Sequence, residues 1–475
     1  MTVQKTTPAL YEEYKAKMQK IADVRNAMSV LGWDQETYLP PSGAAFRGQQ
    51  LTTLSSIAHE LFTEPALGDV LQELRQRGDL DNVQKKNVEL SLEDYEKNRK
   101  YPAAFVAELS TATNTAYHAW IKARKENRFE TFEPSLDRMV ALKKQEADIL
   151  GYKAHPYDAL LNEYEKGADV QMLDKIFSDV KTSLLPLLQQ IAQQPVPDKK
   201  FLHLHYPKDL QWQFGLDILK AMGYDLNAGR QDVSEHPFTT SFSPQDVRVT
   251  TRIDEQDLGN MTWSCIHESQ SRLWENNVGR SLVFWQHHYG RLQSLFRHNL
   301  LAVPIRDFYN AINLVQPSLI RTEADELTYH FHVMIRYEIE KGLIGGTLRT
   351  KDLREIWNQY YSDFLQVKVP DDVRGVLQDI HWSHGSFGYF PTYSLGSFYA
   401  AQFFNTAKKQ VPQLESSIAS GVYAPLLQWL REQVHVHGRF YTSNELCARV
   451  TGENLEFRYF LDYAKEKFGG IYALK

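Results

Sequence analysis

The chain has 475 residues and a formal net charge of −6. Hydrophobic residues make up 43% of the sequence and charged residues 24%, which is ordinary for a soluble globular protein and excludes a disordered, collagen-like or membrane-embedded chain. The 25 glycines and 19 prolines are few for this length and favour long helices over many short strands. The slightly acidic balance provides no basic surface, so no nucleic-acid partner is predicted.

The chain contains two cysteines, Cys265 and Cys447. Two thiols provide neither a disulfide framework nor a cysteine-based zinc site, and their scarcity favours a reducing compartment, so we expect a cytoplasmic protein. The first ten residues contain no apolar run of the kind found in secretory signals. No window approaches 18 apolar residues, so neither a spanning helix nor a membrane partner is predicted.

Helical periodicity dominates the N-terminal part of the chain. Tyr14, Met18, Ile21 and Met28 recur at spacings of three, four and seven, which predicts a first helix that ends near residues 31–34. Further amphipathic helices are predicted over residues 47–62, 82–97, 103–124 and 136–150.

The clearest internal break is the segment 193–198, which contains two prolines. We interpret it as a connection between two helical layers rather than between independent domains. The sequence therefore predicts one fold over residues 1–475, with layers of about 1–192 and 199–475.

One region has a different period. In the segment 246–253, Val247, Val249, Thr251 and Ile253 alternate with polar residues, and β-branched side chains dominate. A turn at residues 243–245 separates it from the segment 236–243. The pattern predicts a small antiparallel hairpin within a helical body.

Helical spacing returns after Asp257 and continues through the C-terminal half, including residues 397–408. Residues 263–284 contain no proline and one glycine, so one continuous helix there is sterically plausible. Residues 320–325 are predicted to start a helix, because acidic residues suit the first turns.

The segment with the richest chemistry begins at His267-Glu268. A zinc peptidase helix of the form H-E-x-x-H carries two zinc histidines four residues apart and a glutamate that acts as general base. Here Ser271 occupies the second histidine position, and a hydroxyl is a poor zinc ligand. The pair alone therefore indicates either a remnant of this motif or a hydrogen-bonded helical histidine beside an ordinary glutamate.

A second candidate region contains Asp379 and His381, followed by a loop rich in glycine and aromatic residues at 383–393. Such a loop suits a wall that faces a substrate, or a packed aromatic turn. Arg321 stands at a predicted helix start, where a basic residue is less expected and an anion ligand is one explanation.

Taken together, five ordered segments resemble the carboxypeptidase Taq family of zinc metallocarboxypeptidases. They are His236-Pro237-Phe238; Asp246–Thr250, as D-x-R-x-T; His267-Glu268-Ser269-Gln270; Ile320–Asp325, as I-R-x-x-A-D; and Gly375–Trp382, as G-x-x-Q-D-x-H-W. Trp33–Thr37 and His437-Gly438-Arg439 also resemble family sequence. The resemblance covers essentially the whole chain. It implies a mainly α fold, with a large helical body, a deep central groove and a small antiparallel β-sheet beside the metal site.

The metal motif departs from the family pattern. The family has two His-Glu pairs: the first opens H-E-x-x-H, and the glutamate of the second is the third zinc ligand. This chain has one pair, His267-Glu268, as though the segment between two Ile-His-Glu copies were missing. The resemblance implies His267 and Glu268 as metal ligands and Glu268 as the catalytic base, but one residue cannot serve both purposes. Because catalytic zinc normally has three protein ligands, we predict weak or absent zinc binding and strongly reduced activity.

The resemblance also implies roles for residues outside the metal motif. The family releases C-terminal amino acids from peptides with zinc-activated water, so a cation must receive the terminal carboxylate. Arg248 and Arg321 are candidates because a guanidinium matches a carboxylate, and His236 is a further substrate-binding candidate. His381 and Tyr393 are candidates for donors to the oxyanion. The implied partners are peptides with a free C-terminus and a second copy of the chain in a homodimer.

Three interpretations of the chain remain open. The first is a metallocarboxypeptidase whose activity is impaired by the incomplete motif. The second is a non-catalytic descendant that binds peptides or serves as a dimerisation partner. The third is a damaged copy without function.

Overall fold

The computed structural model describes residues 5–474, except for the side chains of residue 103 and residues 268–271. The structure is 68% helical and has one small sheet among the described residues, which confirms the mainly α prediction. Within the described residues the helices are α1 Thr7–Thr37, α2 Ala44–Thr63, α3 Pro65–Arg75, α4 Asn82–Lys100, α5 Ala103–Glu126, α6 Glu133–Leu150, α7 Pro156–Leu161, α8 Val170–Ala192, α9 Lys208–Ala221, α10 Leu258–Arg272, α11 Leu282–Leu295, α12 Arg297–Leu300, α13 Ile305–Ile312, α14 Tyr329–Gly345, α15 Leu353–Leu365, α16 Pro391–Gln410, α17 Leu414–Ala419, α18 Ala424–Gln433, α19 Ser443–Thr451 and α20 Arg458–Tyr472. The strands are β1 Gly229–Val233, β2 Thr239–Ser243 and β3 Asp246–Thr251.

The chain divides into two compact units. The first contains Met1–Tyr101 and Leu202–Ser271, and the second contains Pro102–Phe201 and Arg272–Lys475. In the part of the chain that the structure describes, no helix is long and apolar enough to cross a membrane.

The first unit is built around α1. Its buried side chains Leu10, Tyr14 and Ile21 belong to an apolar core that also contains residues of α3 and α4, because these helices each bury one apolar stripe. The predicted end of α1 near residues 31–34 is wrong. Gly32 is tolerated inside the helix, which continues until Asp34 O accepts from the N–H groups of Tyr38 and Leu39.

The sheet of the first unit has the strand order β1-β3-β2. The predicted hairpin is confirmed as the antiparallel pair of β2 and β3. The sheet as a whole is mixed rather than antiparallel, because β1 pairs with β3 in parallel, with Arg230 opposite Arg248. β1 has the sequence Gly-Arg-Gln-Asp-Val, which lacks the β-branched alternation that identified β3.

Helix α10, which carries His267, packs closely against α9. A Cβ atom at Gly215 of α9 would lie 2.8 Å from Met261 Sδ and 2.9 Å from Cys265 Sγ, so glycine permits this approach. The helical stretch predicted over 263–284 is interrupted: α10 is followed by a π-helical turn at Leu273–Gly279. Ser281 then starts α11, because its hydroxyl accepts from Phe284 N.

The second unit surrounds α14. Every residue from Tyr329 to Tyr337 is buried, which is typical of a helix enclosed on all sides. The predicted helix start at 320–325 is only a 3-10 turn at Arg321–Glu323. Asp325 instead caps the chain before α14, because its Oδ1 accepts from Leu327 N and Thr328 N at 2.9 and 3.0 Å.

Candidate active site

A row of polar side chains runs along one face of the buried helix α14. His332, Arg336 and Glu340 are spaced by four residues, so they share one face of the helix. All three residues are fully buried. Buried polar groups require partners, and Arg336 and Glu340 find them in the segment 378–388. This row of side chains therefore positions the segment that contains His381.

Asp379 is the centre of a buried ion cluster. Its Oδ1 accepts from Arg321 Nε at 3.0 Å and from Nη2 at 2.8 Å, and its Oδ2 accepts from Arg336 Nε at 2.7 Å. Burial disfavours the charge on Asp379, but Arg336 and Arg321 outweigh burial and hold the pKa of the carboxyl well below its usual value. The carboxylate is therefore ionised at neutral pH.

Gln378 completes this cluster. Its Oε1 accepts from Arg336 Nη2 at 2.8 Å and from the backbone N–H of Arg321 at 3.0 Å. Arg321 Nη1 donates to Tyr329 Oη at 3.0 Å, so all three side-chain nitrogens of Arg321 have partners. The guanidinium is held rigidly and is 5% exposed as a residue.

Glu340 holds the other end of the segment. It accepts from Trp382 Nε1 and Gly388 N, both at 2.8 Å, and from Tyr157 Oη at 2.5 Å. Burial raises the pKa of Glu340 to about 7, against the opposing effect of these donors. Three chain segments thus meet at one buried carboxyl group.

His381 lies between Asp379 and an aromatic wall. Its ring centroid is 5.6 Å from that of Tyr389 and 4.6 Å from that of Phe390. His381 Nδ1 is 3.8 Å from Asp379 Oδ1, and it has no hydrogen-bond partner among the described residues. Burial lowers the pKa of His381 to about 4, so the ring is neutral at neutral pH and has one N–H to donate.

Tyr393 joins the same group. Arg321 Cζ lies 5.2 Å from the Tyr393 ring centroid, and Tyr393 makes an edge contact with Tyr389 at 5.1 Å. Burial raises the pKa of Tyr393, so its hydroxyl remains protonated. The structure thus brings together Arg321, His381 and Tyr393, the three candidates that lie in the second unit.

The first unit contains the other candidates. Arg248 on β3 donates to both oxygens of Asp246, at 2.9 Å from Nε and 3.0 Å from Nη2. His236 is exposed, and its neighbour Phe238 exchanges hydrogen bonds with Thr250 through Phe238 N to Oγ1 and Thr250 N to Phe238 O, both at 2.9 Å. These two hydrogen bonds join the segment His236-Pro237-Phe238 to the strand that carries D-x-R-x-T.

His267 lies on α10 and is half-buried, and the side chain of Glu268 lies outside the described residues. The predicted roles of these two residues therefore remain predictions.

Arg336, Gln378 and Glu340 are not among the site residues predicted from the sequence. The available signal was the spacing of polar residues along α14: positions 332, 336 and 340 are polar within the otherwise mostly apolar sequence Tyr-His-Phe-His-Val-Met-Ile-Arg-Tyr-Glu-Ile-Glu. A four-residue polar period inside an apolar helix indicates a buried polar face.

Comparison with known proteins provides consistent matches. The sequence profile of the carboxypeptidase Taq (M32) metallopeptidase family matches residues 13–268 and 258–468. Carboxypeptidase 1 of Bacillus subtilis is 35% identical over 98% of this chain and 99% of its own length. Thermostable carboxypeptidase 1 of Thermus thermophilus is 36% identical over 98% of this chain and all of its own length. The crystal structure of an M32 carboxypeptidase from Deinococcus radiodurans, 34% identical, superposes with a TM-score of 0.96 over 98% of this chain and all of that one.

The matches share one irregularity. The two profile matches overlap at residues 258–268, so the stretch that ends in His267-Glu268 is matched twice. The alignments with the Bacillus and Thermus relatives extend over 494 and 511 positions, more than the 475 residues of this chain. Both relatives therefore have residues to which nothing in this chain corresponds.

A metallopeptidase family implies a metal ion, and the sequence of this chain provides an incomplete motif for one. Among the residues whose side chains the structure describes, no group of three or more histidine, cysteine, aspartate or glutamate side chains could hold a metal. Ser271 stands where H-E-x-x-H requires its second histidine, and an un-ionised hydroxyl is a poor zinc ligand.

Proposed function

Because the chain belongs to the carboxypeptidase Taq family of metallopeptidases, we propose that it is a carboxypeptidase whose activity is strongly reduced by an incomplete metal motif. Intact members of this lineage would release C-terminal amino acids from peptides with zinc-activated water. The observation that carries the proposal is the single His-Glu pair, whose surroundings at 258–268 match the family profile twice. This is what a loss of the segment between two similar copies would produce.

The residues outside the metal motif are proposed to retain their roles. Arg248, Arg321 and His236 are proposed to bind the substrate, with either Arg248 or Arg321 as the cation that receives its terminal carboxylate. His381 and Tyr393 would donate to the developing oxyanion, which suits a neutral imidazole and a protonated phenol. His267 would be a remaining metal ligand, and Glu268 would be either the second remaining ligand or the base, but not both.

The proposal is tested by measuring zinc and turnover together. The protein is purified without chelator, dialysed against trace zinc, and analysed for zinc per chain and for release of C-terminal amino acids. We expect far less than one zinc per chain. Turnover should be at least about 100-fold below that of the Bacillus subtilis relative, because loss of a direct ligand should exceed the 10–100-fold effect of removing the groups that only support ligands.

A matched gain-of-function variant sharpens the test. The variant receives the missing segment from the relative, so that the chain again has two Ile-His-Glu copies. It should regain both zinc binding and turnover if the loss of this segment is the cause. Near-stoichiometric zinc and rapid turnover in the unaltered chain would contradict the proposal. So would a folded insertion variant that gains neither.

The non-catalytic alternative is supported by the hydrogen bonds that hold Arg248 to Asp246 and Arg321 to Asp379, both outside the incomplete motif. It predicts peptide binding without turnover even at saturating zinc.

We also propose a cytoplasmic homodimer that forms one fold over the whole chain. Size-exclusion chromatography with light scattering tests the dimer, because a single peak at the 55.0 kDa chain mass would contradict it.

A further inference from the structure

Trp33 occupies an unusual position beside the sheet of the first unit. It lies near the end of α1 and is 7% exposed. The Cζ atom of Arg248 is 4.4 Å from the Trp33 ring centroid, and that of Arg230 is 5.3 Å away. Arg230 and Arg248 are register partners on the parallel strands β1 and β3, so both side chains leave the same face of the sheet.

Each of these two arginines has its own carboxylate. Arg230 pairs with Asp232 and Arg248 pairs with Asp246, in both cases two residues away on the same strand. The acids offset the repulsion between two neighbouring guanidinium groups. The two arginines differ in exposure, because the Arg230 side chain is 52% exposed and that of Arg248 is 18% exposed.

The guanidinium of Arg248 is fixed from three directions. Trp33 covers it, the Phe242 ring centroid lies 4.9 Å from its Cζ, and Asp246 occupies the edge formed by Nε and Nη2. Nη1 has no hydrogen-bond partner among the described residues. A planar group held in this way presents one remaining edge in a fixed direction, which is the geometry needed for bidentate carboxylate recognition.

We infer that Trp33 is a positioning residue that holds Arg248 ready for the terminal carboxylate of a peptide. The inference rests on the proposed function, because it assumes that Arg248 receives this carboxylate. Phe242 supports the same orientation from a second ring. Without Trp33, Arg248 keeps its charge and its pairing with Asp246 but loses its defined orientation, so recognition of the carboxylate weakens while the fold persists.

The experiment compares binding of two fluorescein-labelled tripeptides that differ only at the C-terminus, one a free acid and the other an amide. Fluorescence anisotropy gives the ratio of their dissociation constants, and mass spectrometry checks that the peptides stay intact. We expect the unaltered protein to prefer the acid by about tenfold or more, as for a hydrogen bond to a charged group. The variant Arg248→Ala should bind both peptides alike.

The decisive variants are Trp33→Leu and Trp33→Phe. Leucine should reduce the preference for the acid at least threefold, and phenylalanine should retain most of it, because a ring face remains. Trp429→Leu is the matched control, since Trp429 lies in the second unit and is 6% exposed. It should leave the preference unchanged. If Trp33→Leu does not fold, Phe242→Leu provides a second test, because Phe242 is the other aromatic ring that holds Arg248.

Several results would overturn the inference: equal binding of acid and amide by the unaltered protein, an unchanged preference in Arg248→Ala, or an unchanged preference in folded Trp33→Leu. A loss of preference in Trp429→Leu as large as in Trp33→Leu would also overturn it, because the effect would then follow general destabilisation. The ratio of the two dissociation constants does not depend on turnover. Rapid turnover would therefore contradict the proposed loss of activity without deciding the role of Trp33.

Discussion

Replacing Asp379 with asparagine removes the negative charge that two buried arginines share. The side chain of Arg321 is 6% exposed and that of Arg336 is 0% exposed, so water cannot replace the lost carboxylate. Asparagine retains one acceptor oxygen, but its amide group would turn donors toward a guanidinium. Removing one partner of a buried ion pair costs about 3–5 kcal/mol, and Asp379 serves two partners, so we expect a loss of at least about 3 kcal/mol.

The measurement is urea unfolding at pH 7, followed by circular dichroism and tryptophan fluorescence. The matched control is Asp371→Asn in the preceding turn. Asp371 also accepts two hydrogen bonds from an arginine guanidinium, that of Arg374, and a third from the backbone N–H of the same residue, but that arginine side chain is 54% exposed. The control should change stability little, because exposed pairs contribute little. A loss below about 1 kcal/mol for Asp379→Asn would refute the reasoning, since Asp379 would then matter no more than a surface acid.

The same carboxyl group predicts a pH dependence. Its pKa is lower in the folded chain than the usual value near 3.9, so its contribution to stability is fully present above that value. The contribution is lost as the pH falls through the lower, folded-state pKa. Acidification should therefore destabilise the unaltered protein more than Asp379→Asn, and parallel acid curves would contradict the assigned charge state.

Two further predictions concern the anchor of the His381 segment. Because the pKa of Glu340 is raised to about 7, the unfolded chain ionises first as the pH rises from about 4.3, and stability should fall by up to about 3 kcal/mol by pH 7. Glu340→Gln should remove this fall in urea unfolding measured across pH; an unchanged slope would contradict it. Gly388→Ala should cost at least about 2 kcal/mol, because Gly388 has φ of 96° and a Cβ would lie 2.5 Å from Leu160 O. Gly290→Ala, on the exposed face of α11 with open space around it, is the control and should stabilise by up to about 1 kcal/mol; equal thermal shifts would contradict the argument.

The elements that sequence analysis predicts well are those whose pattern is local. Amphipathic helices such as α4 and α6 bury one apolar stripe, and β3 alternates, so their periods are visible in a short window. The partner β1 was not predicted, because its pairing with β3 is decided by distant residues rather than by its own composition. The end of α1 was misplaced for a related reason, since a single glycine is a weak breaker inside a long helix.

The candidate site shows the same division. Asp379 and His381 stand close together in sequence, but Arg321 and Arg336 reach Asp379 across 58 and 43 residues. No local period predicts such pairings. The resemblance to a known family placed Arg321 and His381 in one site without giving a contact between them. It gave no role to Glu340, which lies outside the five motifs although it anchors the last of them through Trp382.

The polar interior of the second unit bears on what the incomplete metal motif does to the chain. Arg321, Arg336 and Asp379 satisfy one another, and Glu340 takes its hydrogen bonds from the protein itself. In proteins where ligands lack other partners, metal binding is itself a folding free energy, so loss of the metal unfolds them. Here the buried polar groups find hydrogen-bond partners within the protein, and the second unit can persist when zinc is absent. Inactivity of a folded chain would therefore be a property of the metal motif and not of a collapsed site.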